Sequence, residues 1–188
     1  MAVQYDAVVV GAGFGGMGAA IQLKRMGLDN LAILEREDDL GGTWHVNRYP
    51  GLAVDIASVT YSYSFEPNPN WSRLFAPGAE LKKYADHVAD KYDLRKHMTF
   101  GAVVNGARWD EDSSHWVVSV EGAPDITAKY LLTATGFLSQ PHRPDISGID
   151  ELTARAIRWV SGMRENSFCT ALGMGTSILG TTQIGVRW

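Results

Sequence analysis

The stretch from Tyr5 to Glu35 constrains this chain more sharply than anything after it. Tyr5-Asp6-Ala7-Val8-Val9-Val10 is a short β-branched run, the composition of a strand buried in a parallel sheet. A glycine-rich turn follows, Gly11-Ala12-Gly13-Phe14-Gly15-Gly16. Met17 to Met26 reads as a helix, with Ile21 and Leu23 among its apolar contacts, and Gly27 supplies the left-handed cap that ends it. Leu31-Ala32-Ile33-Leu34 is a second buried strand that stops at Glu35. Strand, tight turn, helix and strand in about thirty residues predict a right-handed βαβ unit.

The spacing Gly11-x-Gly13-x-x-Gly16 has a physical job. The first glycine permits the tight turn, the second lets backbone approach a pyrophosphate, and the third lets the helix pack on the strand. The helix N-terminus then offers N–H groups and a positive dipole end to the phosphates. Glu35 lies nineteen residues after Gly16 (35 − 16), where a carboxylate accepts hydrogen bonds from the adenosine ribose hydroxyls. The same charge repels a 2′-phosphate, so the turn favours FAD or NAD over NADP. A glycine turn with a solvated glutamate is the bland alternative, and the flanking strands and helix weigh against it.

Residues 36–76 look irregular, rich in Gly, Pro and Asn. A loop of this length inside a domain is usually functional or disordered. Its aromatics (Trp44, Tyr49, Tyr61, Tyr63, Phe65, Trp71, Phe75) oppose disorder. Within it, Gly41-Gly42-Thr43-Trp44 combines close backbone approach, a hydroxyl and a flat indole wall. A helix is expected from Gly78 to Asp93, with Leu81, Tyr84, Val88 and Tyr92 on one face. Short strands are expected at Met98 to Val104, at Gly106 to Asp110, and around the alternating Trp116, Val118 and Val120. Asp112-Ser113-Ser114 suits a turn, and Lys129 to Thr135 is a final apolar strand ending at Gly136. Pro141 and Pro144 mark an exit, and no period of either kind is present from Leu152 to Trp188.

Composition excludes more than it selects. The chain has 188 residues, 45% hydrophobic and 20% charged, with net charge −4, so it lacks the basic footprint of a nucleic-acid or anionic-membrane binder. Cys169 is the single cysteine, the five histidines are scattered, and no metal-type spacing exists. The apolar run Ala7 to Val10 is too short for a signal-peptide core or a membrane span, which makes a cytoplasmic location the default expectation.

Three further segments carry a resemblance to a known family: Gly41-Gly42-Thr43-Trp44, Asn47-Arg48-Tyr49-Pro50-Gly51, and Asp55 with Tyr61. Together with the N-terminal glycine turn they resemble the Baeyer–Villiger monooxygenases, the class B flavoprotein monooxygenases that include cyclohexanone monooxygenase. The resemblance continues through Phe100 to Asp110, Ala134-Thr135-Gly136-Phe137 and Gly148-Ile149-Asp150, about four fifths of the chain. It implies an α/β fold: a Rossmann-like FAD-binding domain with a parallel sheet plus a small antiparallel β meander, incomplete relative to the family's two dinucleotide-binding domains. It implies that Gly11, Gly13, Phe14 and Gly16 surround the FAD pyrophosphate and that Glu35 binds the ribose. Gly42, Thr43 and Trp44 would lie along the cofactor, with Thr43 and Trp44 on its flavin half. Asp55, with Ala53 and Val54, would sit near the isoalloxazine and serve catalysis. Tyr61 would pack beside the flavin, and the Val104 backbone would meet the adenine. The implied reaction uses NADPH and O2 to convert a ketone to an ester or lactone.

Family members carry a second glycine turn for NADPH, and a fingerprint phenylalanine, glycine and histidine where this chain has Leu152, Ala154 and Arg158. Gly173-Met174-Gly175 with Gly180 has the wrong spacing to replace that second turn. The expectation is therefore an FAD-binding domain over residues 1–150, a tail over 151–188 without the family pattern, and a truncated chain that lacks the NADPH domain. The competing readings are a non-catalytic FAD-binding remnant and a small single-domain NAD-dependent oxidoreductase. The latter has no need of the Gly41-Gly42-Thr43-Trp44 and Arg48-Tyr49-Pro50-Gly51 segments and would require an acid–base pair that does not stand out.

Overall fold

The computed structural model describes residues 3–138. The expectations for the 151–188 tail, including Cys169 and the glycines near 175, lie outside the described residues. The chain divides into two compact units, one built from Met1–Gly42 and Lys83–Gly136, the other containing Thr43–Lys82.

The first unit holds one six-stranded mixed sheet. Its strands are β1 (Tyr5–Val10), β2 (Leu31–Leu34), β3 (Met98–Thr99), β4 (Val104–Asp110), β5 (His115–Val120) and β6 (Ile126–Thr133), in the order β3-β2-β1-β6-β5-β4. β1 pairs in parallel with β2 and β6, and β2 with β3, while β4, β5 and β6 form the antiparallel meander. The expected parallel sheet and meander are thus one continuous sheet joined at β6. Ala7, Val8 and Val9 are fully buried, which is why β1 reads as an unbroken apolar run. The register sets Val10 opposite Leu34, so Gly11 and Glu35 emerge at the same end of neighbouring strands. The Gly11 N–H donates to the Leu34 carbonyl at 2.7 Å and closes that end.

Helix α1 (Phe14–Arg25) starts three residues earlier than the composition suggests. Gly15 and Gly16 disguise its first turn because glycine is a poor helix former, yet the Met17 N–H already donates to the Gly13 carbonyl at 3.0 Å. At the other end the Leu28 N–H reaches the Leu23 carbonyl at 3.0 Å while Gly27 takes φ +85°, the expected left-handed cap. The strand expected over Met98 to Val104 is broken. Gly101 (φ +69°) turns the chain after β3, and β4 begins at Val104 with an irregular register before Gly106. Across the meander Trp109 and Trp116 meet edge to face at 5.6 Å.

The described part of the second unit is largely irregular, as the loop reading anticipates. It contains α2 (Thr43–Val46), a short 3-10 turn (Ser58–Thr60) and a bridge between Ala53 and Pro77. Helix α3 spans Gly78–Lys91. Among the described residues no helix is long and apolar enough to cross a membrane.

Candidate dinucleotide-binding site

The three motif glycines differ in what makes them glycine. Gly11 has φ +104°, and a Cβ there would lie 2.5 Å from the Ala134 carbonyl oxygen. A Cβ on Gly16 would lie 1.8 Å from the Gly11 oxygen. Both positions are closed by the chain itself, through the turn and the helix–strand contact. At Gly13, the α1 N-cap, a Cβ would meet nothing nearer than the Gly42 Cα at 3.6 Å, an ordinary contact. Packing therefore does not require glycine at this position. The space left there is what close approach by a ligand would use.

Around that turn the backbone is pinned on several sides. Glu35 is only 6% exposed, and its Oε2 accepts the Ala12 N–H at 2.7 Å while Oε1 accepts the Glu37 N–H at 3.0 Å. The Gly41 N–H donates to the Ala12 carbonyl at 3.0 Å. Gly42 (φ +55°) brings its backbone against Gly13, so a Cβ on Gly42 would lie 3.1 Å from the Gly13 Cα. Phe14 stacks on Tyr84, with centroids 5.8 Å apart, so its ring packs on α3. Val104, half-buried, opens β4 opposite Val120.

The α1 N-terminus suits an anion. No side chain caps it and no acidic residue lies in its first turn, so its leading N–H groups and dipole face no competing charge of their own. With the room at Gly13, these features fit the diphosphate of a dinucleotide.

The remaining predicted residues lie in the second unit. Thr43 opens α2, where its carbonyl accepts the Asn47 N–H at 3.1 Å. Trp44 is buried and donates its indole Nε1–H to the Tyr61 hydroxyl at 2.9 Å. Burial pushes the Tyr61 phenol above its ordinary range and the Asp55 charge adds to this, while the Trp44 hydrogen bond pulls the other way. Asp55 is exposed, Ala53 half-buried and Val54 buried. The Val54 N–H donates to the Ala76 carbonyl at 3.0 Å. In the Arg48-Tyr49-Pro50-Gly51 segment, the Leu52 N–H reaches the Tyr49 carbonyl at 3.2 Å with Gly51 at φ +83°. Proline second and glycine third fit a type II turn.

Sequence reasoning missed Ser58. Its Oγ donates to the Leu74 carbonyl at 2.9 Å and accepts the Ala76 N–H at 2.7 Å, in a side chain 1% exposed. This one hydroxyl ties the Asp55–Tyr61 stretch to residues 74–76. Its position three residues from both Asp55 and Tyr61 is the only signal the sequence offers.

Residues 8–163 match the family model described as pyridine nucleotide-disulphide oxidoreductase. A Baeyer-Villiger monooxygenase of Streptomyces coelicolor is 43% identical over 155 residues, covering 80% of this chain and 30% of the relative. Among solved structures, OTEMO in complex with FAD and NADP matches with TM-score 0.73 and 37% identity, covering 81% of this chain and 29% of that one. The open structure of cyclohexanone monooxygenase matches with TM-score 0.73 and 36% identity, covering 79% and 30%. The chain thus spans about 30% of the length of the relatives it matches. The likeness falls on the FAD-binding part of those monooxygenases.

Proposed function

Because the chain belongs to the pyridine nucleotide-disulphide oxidoreductase family, we propose that it binds FAD and is the FAD-binding portion of a Baeyer–Villiger-type monooxygenase. The observation that carries this is Gly13: a glycine that packing does not require, at an uncapped helix N-terminus beside a buried carboxylate. Gly11, Gly13, Phe14 and Gly16 would hold the diphosphate through backbone, with Glu35 toward the ribose and Val104 toward the adenine. Gly42, Thr43, Trp44 and Tyr61 would line the cofactor, with Ala53, Val54 and Asp55 near the flavin.

Bound, the flavin supplies the redox chemistry by which NADPH and O2 convert a ketone to an ester or lactone, with water as the second oxygen product. The described residues bind and orient. Asp55 is exposed, so its carboxylate is open to a nicotinamide or a substrate-side cation, and this is its proposed catalytic contribution. Trp44 and Tyr61, joined by a hydrogen bond, offer a firm apolar wall with its polar atoms already paired.

The test is a visible absorption spectrum of the purified chain with and without added FAD. A flavin band that survives desalting is expected, and NADPH oxidation in the presence of cyclic ketones then asks for the reaction itself. A colourless protein after incubation with FAD would sink the cofactor assignment. A flavin-retaining chain that leaves NADPH untouched would sink the catalytic half and leave an FAD-binding module.

A further inference from the structure

We propose that Glu35 is a positioning residue for the diphosphate turn, one that acts through the Gly11–Ala12 peptide, next to the one that carries the Gly13 N–H, independently of any bond it makes to ribose; this rests on the FAD reading above. The ribose role alone does not account for what its carboxylate touches. Oε2 accepts the N–H of Ala12, a fully buried residue within the glycine turn, and Oε1 accepts the Glu37 N–H. The Glu35 main chain is fixed as well: its N–H donates to the Thr99 carbonyl at 2.9 Å and its carbonyl accepts the Ala102 N–H at 2.8 Å. Every polar group of Glu35 is thus tied to backbone, and the side chain is a strut between β2 and the turn.

The strut and Gly41 together hold Ala12 on both sides. Glu35 holds the Ala12 N–H, and Gly41 holds the Ala12 carbonyl. In a planar trans peptide the carbonyl and the following N–H point opposite ways. Fixing the Ala12 carbonyl on Gly41 therefore aims the Gly13 N–H away from Gly41, and among the described residues that N–H makes no hydrogen bond. It is a donor set in place before a ligand arrives. A carboxylate has about four acceptor sites, so two backbone bonds leave capacity for the ribose hydroxyls. Bonds to an ionised carboxylate are the strong kind, which suits a strut.

The two roles separate with a ligand that lacks the ribose hydroxyls. Dissociation constants are measured for FAD and for an FAD analogue carrying 2′,3′-dideoxyadenosine, with the full chain and with Glu35→Gln. The amide side chain accepts only at its oxygen, so it cannot satisfy both the Ala12 and Glu37 N–H groups. Far-UV circular dichroism selects conditions in which the variant is folded, so that a change in affinity is read apart from a change in stability. The expected result is that Glu35→Gln weakens the analogue by about tenfold or more, as it does FAD. Equal binding of the analogue by both proteins would overturn the proposal and leave Glu35 as a ribose ligand only.

If the variant does not fold, amide hydrogen exchange on the ligand-free wild-type chain decides. Slow exchange at Ala12 with fast exchange at Gly13 supports the strut, and fast exchange at Ala12 overturns it. A wild-type chain that binds neither flavin overturns the FAD reading instead, and the exchange measurement still tests the strut.

Discussion

Trp44 and Tyr61 form one unit: the indole Nε1–H donates to the phenol oxygen at 2.9 Å, and the rings meet edge to face at 5.5 Å. Both residues are expected on the flavin half of the site for separate reasons, and the structure adds that each holds the other. The Tyr61 oxygen partners an indole N–H on a residue only 8% exposed. Tyr61→Phe keeps the ring contact but strands that donor, so a loss of about 1–3 kcal/mol is expected. Urea unfolding followed by tryptophan fluorescence measures it. An unchanged midpoint would show that the pair contributes nothing to the fold.

Gly13 and Gly16 should respond oppositely to the same methyl group. In Gly16→Ala the new carbon would sit 1.8 Å from the Gly11 oxygen and 2.9 Å from its carbonyl carbon, so backbone must move. A destabilisation of about 3 kcal/mol is expected from such overpacking. In Gly13→Ala the nearest atom is 3.6 Å away, and the cost to folding should not exceed about 1 kcal/mol, the scale of an N-cap change. That methyl instead occupies the space a diphosphate needs, so FAD affinity should fall by at least about tenfold. Thermal melts and flavin titration of the two variants make the comparison. FAD binding that survives Gly13→Ala intact would remove the main support for the ligand assignment.

What the sequence made legible was what short-range chemistry controls. The apolar run of β1, the left-handed cap at Gly27 and the glycine spacing each announce themselves within a few residues. The start of α1 was hidden because Gly15 and Gly16 carry no helix preference, although the close contact at Gly16 demands glycine. The break after Thr99 depends on Gly101 turning with positive φ, which a continuous β-rich composition conceals. The contacts of Ser58 with Leu74 and Ala76, and of Glu35 with Ala12, join residues sixteen to twenty-three positions apart. No local pattern encodes those pairings, because they exist only once the chain has folded. The resemblance named the segments of the candidate site, and the structure supplied the hydrogen bonds within them.

His97 gives the first unit a predictable response to acid. It closes the 3-10 turn Arg95–His97, with its Nε2 buried and without a hydrogen-bond partner. Burial, first, holds its imidazole below the ordinary value of 6.5. The charges of Lys24 and Lys96 act in the same direction, against a smaller pull from the Leu31 backbone and Asp93. Lys24 is fixed nearby, because its Nζ donates to the Tyr92 carbonyl at 2.8 Å and the Asp93 carbonyl at 3.3 Å. The folded chain therefore takes up the His97 proton at lower pH than the unfolded chain does. As pH falls below about 6.5 the unfolded state binds more protons, so stability is lost with acidification until the folded His97 also titrates. Urea midpoints taken from about pH 7.5 down to about pH 5 should fall more steeply for the wild type than for His97→Gln, which has no group to titrate there. Parallel profiles for the two proteins would mean that His97 is as readily protonated in the fold as out of it.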